Sequence, residues 1–185
     1  MVKNNYFILT GAMGAGKTTV INILKEKYKC VDEPARVILK EQRTAGGTGV
    51  PEKDAGLFNL LMLERMISQY KNNLRDNNVV IYDRGIADIA AYSKLLNTEM
   101  ESSLKAAKEL RYNKSIFMFR GWEEIYTTDD ERTVDFKTAD TFGSILEKIY
   151  TELDYNIIDV PFVSADERAE FIEFSINKMM KVYYK

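Results

Sequence analysis

The chain has 185 residues, with 26 Lys+Arg against 28 Asp+Glu, one Cys and no His. Without His there is no Ser-His-Asp triad, no Cys-His nucleophile pair and no His-ligated zinc, and the lone thiol of Cys30 cannot close an internal disulfide. The net charge of -2 gives no general attraction to double-stranded nucleic acid or to an acidic membrane surface.

In chain order, apolar runs alternate with amphipathic stretches, the pattern of a mainly parallel sheet flanked by helices. Residues 6–9 read as a buried strand and residues 18–28 as a helix with Val20, Ile21, Ile23 and Leu24 on its apolar face. Cys30-Val31 is a short strand, and Pro34 suits the first turn of a following helix. Cys30 itself reads as a small packed hydrophobe. Residues 54–75 carry Leu60, Leu63, Met66, Ile67, Tyr70 and Leu74 at helical spacing, a stripe read as core.

Residues 79–82 and 115–119 are further buried strands, with helices around 86–96 and 101–110 between them. A late strand spans 156–160 and stops at Pro161. The last helix places Ile172, Ile176, Met179 and Tyr183 on one face, and Lys178, Lys181 and Lys185 on a solvated one. Two segments, 43–51 with three glycines and 122–138 with many charges and Thr, read as irregular loops. No apolar run approaches the ~20 residues that cross a bilayer, and no signal-peptide pattern opens the chain, so a cytoplasmic setting is expected.

Gly11-Ala12-Met13-Gly14-Ala15-Gly16-Lys17-Thr18 matches G-x-x-x-x-G-K-[ST], between a predicted strand and a predicted helix. The glycines let backbone N–H groups curl round a phosphate, and the helix N-terminus adds its positive dipole end. Residues 11–19, through Thr19, therefore form the expected nucleotide cradle. Lys17 reaches the β- and γ-phosphates and Thr18 supplies a hydroxyl to Mg²⁺. A strand ending in Asp83 places a second metal ligand beside it. The next residue is Arg84 rather than a water-activating Glu, which favours transfer to an acceptor over hydrolysis.

Glu33 and Arg36 follow the second strand, at the sheet edge where open α/β folds bind ligands. Two readings stand. Glu33 takes a proton from an acceptor hydroxyl while Arg36 binds an acceptor anion, or the two are a helix-start carboxylate and an exposed Arg. In the second loop, Arg132 is a candidate lid arginine over the γ-phosphate. Trp122 and Tyr126 either stack on a ring of the substrate or pack within the loop, and Arg120 is one more cation at a strand end. Asn113-Lys114 is followed by Ser115-Ile116 and not by x-Asp, so a GTPase-type base selector is unsupported.

These residues resemble a family of short P-loop proteins described as AAA-domain-like predicted ATPases or kinases. That family is similar to the ribosylnicotinamide kinase domain and, more distantly, to deoxynucleoside kinases. The resemblance rests on residues 10–19, on Glu33-Pro34-Ala35-Arg36, on Tyr82-Asp83-Arg84-Gly85 with Asp88 and Tyr92, and on Trp122 to Tyr126. It continues through Asp130-Glu131-Arg132 and residues 155–161 to Glu167-Arg168. It implies Glu33 as base, Asp83 and Arg84 at the metal and phosphates, and Arg132 in a lid. Family members often have Pro where this chain has Gly121 and Gly where it has Asp154. The family has no single activity and does not name the acceptor.

The expectation is one domain over residues 1–185, a three-layer α/β P-loop NTPase fold of the kinase type with about five strands and a lid at 120–138. ATP and Mg²⁺ are the expected cofactors, with a small hydroxyl or phosphate acceptor such as a nucleoside or nucleotide. The alternative is an ATPase, or an ATP-gated module acting through a partner.

Overall fold

β-branched and aromatic residues build five short strands: β1 (Tyr6–Gly11), β2 (Lys29–Val31), β3 (Val80–Asp83), β4 (Ser115–Phe119) and β5 (Asn156–Asp159). The computed structural model describes residues 1–127 and 134–183. The strands form one sheet in the order β2-β3-β1-β4-β5. Every pairing is parallel, with Ile8 opposite Tyr82 and Leu9 opposite Phe117.

β1 is buried along its whole length, as a central parallel strand covered on both faces must be. Its side chains alternate. Tyr6 and Ile8 join one core with Val80, Tyr82, Ile116 and Met118, while Phe7 and Leu9 join the other with Ile81, Phe117 and Phe119.

Seven α-helices are present among the described residues: α1 (Lys17–Leu24), α2 (Ala35–Thr44), α3 (Ala55–Asn72), α4 (Ala87–Leu95), α5 (Glu101–Glu109), α6 (Phe136–Glu152) and α7 (Ala165–Tyr183). Helices α1 and α7 cover one face of the sheet through Val20, Ile21, Leu24, Ile172 and Ile176. Helices α2 to α6 supply the other core, with Ile38, Met62, Ile89, Ala107 and Leu146 among its members. The result is the three-layer kinase-type P-loop architecture, and no helix among the described residues is long and apolar enough to cross a membrane.

Three features differ from the sequence reading. Helix α6 was not expected. It starts where Asp135 accepts a hydrogen bond from the Thr138 N–H and carries Phe142, Leu146 and Ile149 into the core, an i, i+4, i+7 signal that Gly143 and the Thr residues dilute. In α3, Leu60 is 48% exposed, and the core stripe runs instead through Phe58, Met62, Leu63, Met66 and Tyr70. Finally, Arg43 and Thr44 form the last turn of α2, and the glycine loop after them is held down by Gln42, whose Oε1 accepts from the Gly49 N–H at 3.0 Å. It packs on α2 and Leu61 as a surface loop, outside the cleft described next.

Candidate active site

At the carboxyl ends of β1, β2 and β3 a cleft of about 410 Å³ opens between α1, α2 and α4. Met13, Gly14, Gly16, Lys17, Thr18 and Thr19 line it from the P-loop and α1, and Glu33, Arg36, Asp83 and Arg84 from the other strand ends. These parts come together from three separate stretches of sequence.

Gly11, Ala12 and Ala15 lie behind the lining, and their carbonyls are all in use. Gly11 turns at φ +133°, where a Cβ would sit 2.0 Å from the Phe119 carbonyl oxygen; that close approach seats the loop on β4. Its carbonyl accepts from Lys17 Nζ and from Arg84 Nη1, and the Ala12 carbonyl accepts from Lys17 Nζ at 2.7 Å. The Ala15 carbonyl accepts from Arg168 Nη1, whose guanidinium also faces the rings of Phe119 and Trp122. Burial, helped by nearby Arg84, pulls the Lys17 ammonium from its ordinary 10.5 down to about 7.

Asp83 is the complementary case. Burial, and then the Glu33 carboxylate, push it up from 3.8 to about 6. Its Oδ1 is buried and without a hydrogen-bond partner among the described residues. An orphaned carboxylate oxygen in the same cleft as the Thr18 hydroxyl and the P-loop glycines is a donor set that fits Mg²⁺ with a nucleoside triphosphate.

Arg84 occupies the left-handed region at φ +70°, an unusual conformation for a long side chain that the surroundings must enforce. Its Nε approaches Glu33 Oε1 to 2.8 Å, off the N–H axis, so the contact is an ion pair rather than an aligned hydrogen bond. Tyr92 donates its hydroxyl to the same Glu33 oxygen at 3.1 Å; burial holds that phenol well above its ordinary range, so it keeps the proton it donates. Glu33 is thus steered into the cleft by two side chains.

The remaining candidates fall elsewhere. Trp122 packs on Phe162 with ring centroids 5.2 Å apart, and Tyr126 donates its hydroxyl to the Val134 carbonyl; neither lines the cleft, where their neighbours Ile125 and Thr127 do. Arg120 is tied to Glu147 and Asp159. Arg132 lies outside the described residues. Sequence spacing assigned no role to Thr10, Asp88, Tyr92, Tyr150 or Arg168; Arg84 lies before α4, in the left-handed region, so no helical periodicity ties it to Asp88.

Sheet order, P-loop and strand-end carboxylate together define the P-loop NTPase fold of the kinase type. The chain belongs to the family described as AAA domain, whose model matches residues 6–168. No curated protein sequence matches it. It is similar in fold to a deoxyadenosine kinase from M. mycoides solved with dCMP and dCDP, at 18% identity and TM-score 0.68 over 94% of this chain and 99% of that one. A thymidylate kinase from Candida albicans shares the fold at 18% identity and TM-score 0.63, over 94% and 91%. The shikimate kinase of Acinetobacter baumannii, in complex with shikimate, does so at 20% identity and TM-score 0.56, over 94% and 93%.

Proposed function

We propose that the protein transfers the terminal phosphoryl group of a nucleoside triphosphate, in the first instance ATP, to a hydroxyl of a small acceptor. The observation that carries this reading is one cleft holding the Lys17 ammonium, the unpartnered Asp83 oxygen and the steered Glu33 carboxylate. The backbone N–H groups of residues 11–19 cradle the phosphates, and Lys17 leaves its loop carbonyls to meet the phosphate oxygens. Thr18 and Asp83 hold Mg²⁺, which when bound neutralises charge on the phosphate oxygens. Glu33 accepts the acceptor's proton as its oxygen bonds to phosphorus and the bond to the nucleoside diphosphate breaks. Arg84 and Arg132 offset charge on the phosphoryl group in transfer, with residues 120–138 as the lid.

A hydroxyl acceptor suits the charges better than a phosphate one. Arg84 is already paired with both Glu33 and Asp88, and a second phosphate arriving beside Glu33 and Asp83 would meet two carboxylates. Arg36 and Tyr92 then face the body of the acceptor.

The test is incubation with Mg·ATP and a library of nucleosides, other polyols and nucleoside monophosphates, with product read by mass. Phosphorylated hydroxyl products that vanish in Glu33→Gln, while ATP binding survives, bear the reading out. ADP release that no acceptor accelerates would turn it to an ATPase or an ATP-gated module, and transfer at an undiminished rate in Glu33→Gln would remove the base.

A further inference from the structure

A fully buried carboxylate lies behind the cleft and does not line it. Asp88, in the first turn of α4, is fully buried and receives four donors from three parts of the chain. Its Oδ1 accepts from the Thr10 hydroxyl at the end of β1 and from Arg84 Nη1 at 3.0 Å. Its Oδ2 accepts from the Gly85 N–H at 3.0 Å and from the Tyr150 hydroxyl of α6. Burial holds the Tyr150 phenol well above its ordinary range, so it is a donor here.

The fold makes room for this arrangement. A Cβ on Gly85 would lie 2.7 Å from the Tyr150 oxygen and 2.5 Å from Ile8, so only glycine lets α6 bring that hydroxyl in. The guanidinium that Asp88 grips lies over the rings of Tyr92 and Phe142, the latter also from α6. Arg84 is therefore fixed by a carboxylate behind it, two rings beside it and Glu33 in front.

We propose that Asp88 is a positioning residue that sets the Arg84 guanidinium in the cleft, and that Tyr150 couples this setting to α6. Helix α6 thus reaches Arg84 through the Tyr150–Asp88–Arg84 chain of hydrogen bonds, and touches it directly through the Phe142 ring. The role of Arg84 in transfer rests on the phosphotransferase reading; the hold on its side chain does not.

The experiment uses the full chain as wild type, Asp88→Asn and Tyr150→Phe, with two readouts. The first is the side-chain ¹⁵N spectrum, with the Arg84 signals assigned through Arg84→Lys. Slow, resolved guanidinium signals are expected in the wild type, averaged ones in Asp88→Asn, and intermediate ones in Tyr150→Phe. The second is steady-state transfer to the best acceptor beside calorimetric Mg·ATP affinity. In Asp88→Asn kcat is expected to fall on the order of 10²-fold, as for an active group displaced by about 1 Å, with affinity changed less than about threefold.

Asp88→Asn that folds, keeps kcat and keeps the Arg84 signals overturns the proposal. If Asp88→Asn fails to fold, Tyr150→Phe decides, since it removes one hydroxyl and leaves the rest of the ring; unchanged Arg84 signals there overturn the coupling. A wild type that phosphorylates no acceptor sinks the phosphotransferase reading, and the spectra still decide Asp88.

Discussion

Lys17 Nζ donates to the carbonyl of Ala12 at 2.7 Å, so the P-loop lysine is folded back on its own loop where a phosphate would otherwise hold it. Burial leaves it half-neutral at about pH 7. Phosphate oxygens favour the ammonium, so nucleotide binding at about pH 8 should take up close to one proton, and less at about pH 6. Calorimetry in buffers of different ionisation enthalpy measures that uptake, and Lys17→Met should abolish it. The sign for stability follows. Between about 7 and 10.5 the unfolded chain holds a proton that the folded one lacks, so this group's contribution improves as pH rises through that window. Lys17→Met should therefore be more thermostable than wild type near pH 7, by a margin that shrinks toward about pH 10, while losing on the order of 10²–10³ in turnover.

Asp83 titrates the other way. With its carboxyl held at about 6 against an ordinary 3.8, the folded state carries the extra proton between those values, and stability falls as pH rises through them. A metal ion must displace that proton. The Mg²⁺ dependence of nucleotide affinity should be flat above about pH 7 and weaken by about tenfold per unit below about pH 6. Asp83→Asn should raise the thermal midpoint without metal and remove the Mg²⁺ dependence altogether; a variant that keeps it would place the metal elsewhere.

The legible part of this site is the part written as a linear motif on a strand end. Residues 11–18 and Asp83 announce themselves because a strand must stop and turn there, and the parallel sheet then brings both stops to one edge. Asp88 announces nothing comparable: its partners Thr10 and Tyr150 are 78 and 62 residues away, and the tertiary fold alone brings β1, α4 and α6 together there. Leu60 and Trp122 show the converse. Helical spacing marks a face without saying how far around the helix the core extends, and an aromatic in a loop satisfies its packing with any neighbour, here Phe162.

Gly11 and Gly46 both have positive φ, and they predict different costs. A Cβ on Gly11 meets backbone atoms of Phe119 at 2.0 to 2.7 Å, which cannot move without breaking β4 from β1. Gly11→Ala should cost about 3 kcal/mol or more and lower the midpoint by ~10 °C. Nothing lies within 4 Å of a Cβ on Gly46, so Gly46→Asn, which tolerates the left-handed region, should stay within about 0.5 kcal/mol of wild type. Urea unfolding of both variants reads the difference directly.

Helix α6 ends in a Schellman motif whose left-handed position is filled by Asp154 at φ +58°. The Tyr155 N–H donates to the Tyr150 carbonyl and the Asp154 N–H to the Thr151 carbonyl, and the Tyr150 and Tyr155 rings meet edge-on at 5.3 Å. Glycine is the residue with no Cβ penalty in that region. Asp154 gives up little on replacement, because its ion pair with Lys114 is between exposed side chains. Asp154→Gly should therefore stabilise the protein by up to about 1 kcal/mol, a rise of ~2–4 °C in the thermal midpoint, whereas Asp154→Val should lower it. The same residue, Tyr150, anchors the motif through its carbonyl and reaches Asp88 through its hydroxyl. A tighter helix end should then leave the Arg84 spectrum unchanged while the midpoint rises; a midpoint that falls would mean that the Asp154 side chain holds the turn itself.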